Sequence, residues 1–288
     1  MTNQPKKQIH PKQHQDRQPG FEFEMNPQPM YDNSNYQGSG KLNNQVAIIT
    51  GGDSGIGRAV SVHFAKEGAN IAIIYHDEHQ DAEKTKQAVE QAGSSCLLIS
   101  GDITQSTFCK NAVKQVIDKF NKINILVNNA AVQYPQNDIT LISDEQLERT
   151  FRVNIFSQFY LIRECLPYMQ QGSTIINSSS ITAYHGSANL IDYSATKGAI
   201  TTLTRSLSQS LLTKQIRVNA VAPGPVWTPL IAASFDEKAV SEFGSDNPMK
   251  RPAQPYELAP AYVYLASKDS SYVTGQMIHV NGGVIVNS

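Results

Sequence analysis

The sequence predicts a doubly wound α/β fold, a parallel sheet of about seven strands with helices on both faces. Three observations carry that prediction. Short β-branched runs recur at 46–50, 71–75, 97–100, 123–127, 174–177, 216–222 and 277–280. Most gaps between them hold apolar residues at helical spacing, such as Ala59–Val62–Ala65 and Val113–Val116–Phe120. A glycine-rich turn, "TGGDSGIG", joins the first strand to the first helix. Strands alternating with helices pair in parallel through right-handed crossovers, which puts helices on both faces.

Residues 1–40 fall outside this rhythm. They contain no Ala, Leu or Val, seven Gln, and five of the fourteen Pro. Such a segment cannot bury enough apolar surface to fold alone. "YQGSG", ending at Gly40, marks a seam between a Gln/Pro-rich arm at 1–40 and one domain at 41–288. Phe21, Phe23, Met25, Met30, Tyr31 and Tyr36 stand among the arm's prolines, more large apolar groups than a free tail uses. Prolines at 19, 27 and 29 favour an extended chain that loses less entropy on docking. The arm is therefore expected to dock, on its own body or a neighbour's, the alternative being a disordered tail. Every motif below lies downstream of it, so assembly or shielding is its expected role.

In the first strand–turn–helix unit, Gly51, Gly55 and Gly57 run G-x-x-x-G-x-G rather than G-x-G-x-x-G. Alone, that cluster is weak evidence. Its place decides the matter: "QVAII" precedes it and "IGRAVSVHFAKEG" begins inside it. The exposed N–H groups and dipole of a helix start favour a phosphate there. Gly51 permits the tight turn, Gly55 a close approach to a pyrophosphate, and Gly57 close helix–strand packing. The alternative is a turn with only a structural role.

The bulk composition narrows the partners. Hydrophobic residues make up 40% and charged residues 17%, an ordinary core-forming balance. A formal net charge of −1 offers no basic field for nucleic acid, and no Lys/Arg block suggests a membrane surface. Apolar runs stop after about five residues, short of a bilayer span. Cys96, Cys109 and Cys165 are scattered without a C-x-x-C, so neither a disulfide framework nor a metal site is expected. The expected setting is reducing and cytoplasmic.

The candidate chemistry lies after the fifth strand. Tyr193 and Lys197, four apart at the start of a helical stretch, share one face. A phenol titrates near pH ~10, too high for acid–base work at neutrality. A cation about 4 Å away contributes roughly 4 kcal/mol at an effective dielectric of 20. Lys197 is thus expected to lower the Tyr193 pKa and fit it for proton exchange with a carbonyl or alcohol oxygen. Tyr264 and Lys268 of "YLASK" repeat the spacing, but thirteen residues before Tyr264 stands Arg251, in a Pro-rich loop. Thirteen before Tyr193 stands Ser180, just past the strand "STIIN", where its hydroxyl projects from the sheet's carboxyl edge. On the helix at 143–165, Asn154 falls beside an apolar stripe of Leu147, Phe151, Ile155, Phe159 and Ile162. A buried Asn must find partners; one reading is a bond to a neighbouring helix or loop.

Taken in order, "TGGDSGIG", "GDIT", "NNAA", Asn154, "SSS", "YSATK", "RVNAVAPGPVWT" and "GQMIHVNGG" resemble a compact, single-domain short-chain dehydrogenase/reductase over residues 41–288. "QHQDRQPGFEFEMNPQPMY" and the "TGGDSGIG" turn resemble a bacterial general-stress subgroup related to an aldehyde reductase. Ala131 of "NNAA" departs from the family's usual Gly. The resemblance implies a Rossmann-type sheet, NAD or NADP, a small carbonyl or alcohol substrate, and a homotetramer. It implies catalysis by Asn154, Ser180, Tyr193 and Lys197: Tyr193 as acid or base, Ser180 holding the substrate oxygen, and Lys197 also binding the nicotinamide ribose. The Asn154 carbonyl would hold a relay water. Gly51, Asp53, Ser54, Gly55, Ile56 and Gly57 would meet the cofactor at the turn, and Tyr75 and His76 its adenosine ribose. Asp102 and Ile103 would meet adenine, and Asn128 and Ala130 the ribose side. Pro223, Gly224, Val226 and Thr228 would meet the nicotinamide end. An enoyl reductase spaces its Tyr and Lys more widely.

The family's NADP enzymes often put Arg in the turn or after the second strand, and its NAD enzymes an acid. Ser54 in the turn, with Asp77 and Glu78 after the strand, tilts the expectation to NAD. The segment 228–252 is expected to form a lid whose Leu230, Ile231, Phe235 and Phe243 line an apolar pocket, with Trp227, Gln133, Tyr184 and His185 in reach. The rival class is a catalytically silent dinucleotide sensor or assembly protein on the same fold.

Overall fold

The computed structural model describes residues 6–285. All seven expected strands form: β1 (Val46–Thr50), β2 (Asn70–Tyr75), β3 (Cys96–Ser100), β4 (Ile123–Asn128), β5 (Met169–Ser178), β6 (Arg217–Pro223) and β7 (Met277–Val280). They make one parallel sheet in the order β3-β2-β1-β4-β5-β6-β7. β5 begins before the apolar run that predicts it. Gln170, Gln171 and Gly172 there are exposed, and the register against β4 shifts between Ile123 and Ile125. Main-chain pairing at the end of the sheet, without side-chain burial, leaves no hydrophobic signal.

The helices are α1 (Gly55–Lys66), α2 (His79–Gln91), α3 (Ser106–Phe120), α4 (Asp144–Phe151), α5 (Ser157–Cys165), α6 (Thr182–His185), α7 (Ile191–Ser210), α8 (Pro229–Ala232), α9 (Glu237–Glu242) and α10 (Ala259–Ala266). Strand alternation sorts the core into two layers. Ile49, Ile71 and Ile73 pack with Phe64 of α1, Val89 of α2 and Tyr262 of α10. Ile48, Ala72 and Ile74 pack on the other face with Val113 and Val116 of α3 and Leu161 of α5. Burial on both faces is why these strands read as unbroken apolar runs.

One expected helix is not continuous. Between α4 and α5 the chain takes a π turn, Arg152–Phe156. A π turn inserts an extra residue and rotates the downstream helix out of phase. The stripe read along 143–165 therefore splits: Ile155 and Ile162 are buried, while Leu147 and Phe159 are exposed.

The arm runs along its own chain's body. The Ile9 and His10 N–H groups donate to the Ser241 carbonyl at 2.8 and 3.1 Å, and Gln15 N–H to the Ala232 carbonyl at 2.9 Å. His10 stacks on Trp227 with ring centroids 3.9 Å apart, and Trp227 Nε1 donates to the Pro27 carbonyl at 2.9 Å. Met25 completes a small core with Trp227, Ile231, Ala232 and Val240. Farther along, the Tyr36 hydroxyl donates to Glu67 Oε1 at 2.5 Å. Trp227 is therefore a floor for the arm, and it does not line the pocket. Among the described residues no helix is long and apolar enough to cross a membrane.

Candidate active site

The sheet fills outward from β1 through β2 to β3, then restarts at β4 on the other side of β1. Loops leaving β1 and β4 thus diverge, opening a crevice at the carboxyl ends of the strands. A cavity of about 300 Å³ lies there.

The glycine turn forms one wall. Gly51 and Gly55 take φ of +61° and +50°, where a side chain is strained. A Cβ on Gly57 would stand 1.8 Å from the Gly51 carbonyl oxygen, so only glycine lets α1 start so close to β1. A Cβ on Gly55 would come within 3.0 Å of Thr228 Cγ2, closing the gap between turn and lid. Asp53, Ser54 and Ile56 line the same wall, and burial pushes the Asp53 carboxyl up to about 6. Tyr75, His76, Asp102, Ile103, Ala130, Pro223, Gly224, Val226 and Thr228 all line the cavity. Asn128 does not. Its amide Nδ2 donates to Asn177 Oδ1 at 2.9 Å inside the sheet, and the adjacent Asn129 faces the cavity instead.

Ser180, Tyr193 and Lys197 converge on the opposite wall. Ser180 sits just past β5, and its Oγ accepts the Thr182 N–H at 3.1 Å. Lys197 Nζ donates to the Ser178 carbonyl at 2.7 Å and lies 5.3 Å from the centroid of the Tyr193 ring. Burial governs both groups. It pushes the Tyr193 phenol up to about 12, with the Ser180 hydroxyl pulling the other way, and pushes the Lys197 ammonium down to about 7. The expected lowering of the phenol by Lys197 is thus absent, because the buried ammonium is itself desolvated and directed at a carbonyl. Tyr264 is exposed on α10, away from the cleft.

Asn154 is fully buried in the π turn and outside the cavity lining. Its Oδ1 accepts the Val132 N–H at 2.9 Å, and its Nδ2 donates to the Val132 carbonyl at 3.0 Å and Thr196 Oγ1 at 3.1 Å. The side chain therefore ties the loop after β4 to α7, the helix bearing Tyr193. Leu230, Ile231, Phe235, Phe243 and Gln133 line the cavity as expected, while Tyr184 packs on His279 at 4.5 Å outside it and His185 also lies outside.

Several contributors carry no local signal. The Tyr262 hydroxyl meets Ser178 Oγ at 2.7 Å, behind the carbonyl that receives Lys197. From the arm, Pro19 and Gly20 line the cavity, and Gln18 bonds the Gln133 main chain through both ends of its amide. Glu22, fully buried, accepts the Gly55 N–H at 2.6 Å and pairs with Arg58. Arg17 pairs with Asp77 and Glu78 beyond β2. The sequence places no arginine there; the arm brings one.

Lys197 makes stability depend on pH. Unfolded, its ammonium titrates at its ordinary 10.5; folded, at about 7. Below pH 7 both states are charged and the folded one bears the full desolvation cost. Between about pH 7 and 10 the folded lysine has lost its proton while the unfolded one keeps it, so stability rises with pH. Above that, Tyr193 acts in the opposite sense, since the unfolded phenol ionises first. The melting temperature of the cofactor-free protein is expected to rise between about pH 6.5 and 9, and Lys197→Met to flatten that rise. An unchanged slope in the variant would assign the titration to another group.

The family model described as enoyl-(acyl carrier protein) reductase matches residues 51–285. General stress protein 39 of Bacillus subtilis (strain 168) is 56% identical over 288 residues, covering 100% of both chains. NADPH-dependent aldehyde reductase 1, chloroplastic, of Arabidopsis thaliana is 50% identical over 284 residues, 96% of this chain and 99% of that one. The solved structure of 3-ketoacyl-(acyl-carrier-protein) reductase from Brucella melitensis, complexed with NADH, is similar with a TM-score of 0.76 and 33% identity over 84% of this chain and 98% of that one. Seven parallel strands in switch-point order, a glycine turn at their carboxyl edge and these full-length likenesses lead to one conclusion: the chain belongs to the short-chain dehydrogenase/reductase family of oxidoreductases.

Proposed function

We propose that this protein transfers hydride between NAD or NADP and a carbonyl/alcohol pair, with Tyr193 as proton donor and acceptor. The observation that carries the reading is the convergence of Ser180, Tyr193 and Lys197 on the cavity that the glycine turn also walls. A dinucleotide fits the residues present: the bare Gly55 keeps open the gap to Thr228, and α1 starts there with its N-terminal dipole. Gly51, Asp53, Ser54, Gly55 and Ile56 would hold the diphosphate side, while Gly57, outside the cavity lining, serves the close packing of α1 on β1. Tyr75, His76, Asp102, Ile103 and Ala130 would hold the adenosine, with Asn129 in place of Asn128, which lies outside the cavity lining. Pro223, Gly224, Val226 and Thr228 would hold the nicotinamide end. A nicotinamide bound there supplies or accepts the hydride.

The chain's own groups handle the proton and the substrate oxygen. Tyr193 stays protonated at neutrality in its buried setting, so it gives its proton to a carbonyl oxygen on reduction. Ser180 orients that oxygen, and Lys197 holds the ribose hydroxyls. Asn154 positions α7 beneath Tyr193. Leu230, Ile231, Phe235 and Phe243 suit a medium-sized, partly apolar carbonyl compound. The four-residue Tyr–Lys spacing supports a carbonyl over an enoyl substrate. The test is a panel of aldehydes, ketones and secondary alcohols with both cofactors, monitored by reduced-nicotinamide absorbance. Binding without turnover across the panel would favour the silent sensor.

We assign the α5/α7 face to contact between copies in a homotetramer. An apolar groove of Phe159, Ile162, Leu166, Leu203 and Leu207 lies there, with Phe159 53% exposed. A monomer by light scattering would refute the assignment. Three free cysteines support a reducing, cytoplasmic setting, which reporter-fusion fractionation would test.

A further inference from the structure

The arm delivers a cation to the end of the cleft where the adenosine ribose of a dinucleotide belongs. β2 ends at Tyr75, and the cavity lining continues through His76 and Glu78. Beside them stands Arg17, about sixty residues away in sequence and held from three sides. Its guanidinium lies over the Phe21 ring at 3.8 Å. Its Nε donates to the Pro19 carbonyl at 2.6 Å, and its Nη2 reaches Asp77 and, at 3.4 Å, Glu78 Oε1. Nη1 makes no hydrogen bond among the described residues, and the Arg17 side chain keeps 31% of its surface exposed. Pro19 and Gly20, the next arm residues but one, line the cavity itself.

The acids that argue for NAD are compromised by this arrangement. Glu78 is deeply buried, and its Oε2 accepts the N–H groups of both His76 and Asp77 at 3.2 Å. It is turned onto its own main chain, and burial raises its carboxyl to about 7. Asp77 is half exposed and paired with Arg17, so it can swing into solvent. Of the other charges at this end, Asp53 is buried in the turn, and Arg149, which lines the cavity, is engaged by Asp102 at 3.5 Å, whereas Arg17 stands just outside the lining. A planar guanidinium pre-set by stacking and one fixed N–H is suited to bidentate recognition of a phosphate.

We propose that Arg17 recognises the 2′-phosphate of NADP, so that cofactor choice in this protein is carried by its arm. This rests on the dinucleotide reading above. The experiment is calorimetric titration of the full-length protein with NADP⁺, NAD⁺, 2′,5′-ADP and 5′-ADP, compared with Arg17→Ala and Asp77→Ala. Arg17→Ala is expected to weaken NADP⁺ and 2′,5′-ADP by roughly 10- to 100-fold, as for a lost hydrogen bond to a charged group, and to leave NAD⁺ and 5′-ADP within about threefold. Asp77→Ala frees the guanidinium and is expected to tighten the 2′-phosphorylated ligands only, a gain that damaged folding cannot mimic. Equal weakening of all four ligands by Arg17→Ala would make Arg17 a structural residue and overturn the proposal. So would a native protein that binds NAD⁺ but neither 2′-phosphorylated ligand, an outcome that leaves the dinucleotide reading standing. Failure to bind any of the four would remove both.

Discussion

Tyr193→Phe is expected to lower turnover by ~10²-fold or more, the range for a lost acid–base group, while cofactor affinity changes little. The ring is buried against Lys197 and keeps its packing in the variant, so only the transferable proton goes. Because burial holds the phenol up at about 12, the hydroxyl keeps its proton at neutral pH. Reduction of the carbonyl and oxidation of the alcohol are expected to fall together, since the group that donates the proton in one direction accepts it in the other. Tyr264→Phe is the matched control: the same spacing to a lysine, exposed on α10, and expected to be fully active. Comparable turnover in the native protein and Tyr193→Phe would remove Tyr193 from the chemistry.

Glu22→Ala is expected to lower the melting temperature by about 10 °C. Arg58 is wholly buried between two carboxylates, Glu22 and Asp81, the latter at 2.8 Å. Removing one partner leaves positive charge poorly compensated in a dry site, at a cost of about 3–5 kcal/mol. For a domain of this size each kcal/mol moves the midpoint by about 2–4 °C. The Gly55 N–H loses its acceptor as well, so cofactor affinity is expected to fall with stability. Glu22→Gln keeps the shape without the charge and should fall between. A melting curve that matches the native protein in Glu22→Ala would mean that the arm does not dock on the glycine turn.

That second result bears on the arm's expected role. All motifs lie after residue 40, and assembly or shielding was the natural expectation. In the structure Pro19 and Gly20 also wall the cavity, Gln18 bonds Gln133, and Glu22 caps the turn. A chain beginning at Lys41 is therefore expected to lose cofactor affinity along with stability.

The sequence by itself determined the seven strands, the glycine turn between β1 and α1, and the placing of Ser180, Tyr193 and Lys197 together at the cleft. These are legible because each is written locally: doubly buried strands are apolar runs, a positive-φ turn needs glycine, and residues four apart share a helix face. The π turn at Asn154 escaped, since an inserted residue changes phase without changing composition. So did the early start of β5, which is main-chain pairing alone. Only the tertiary structure decided the partners of polar groups. Asn128 turns into the sheet while Asn129 faces the cavity, Tyr262 backs Ser178, and Glu22 and Arg17 arrive from the arm. Tertiary structure also removed the expected effect of Lys197 on Tyr193, because burial acts on both groups and spacing alone cannot report it. Periodicity records how often a side chain meets the core; it carries no record of which distant carboxylate, carbonyl or cation will be waiting there.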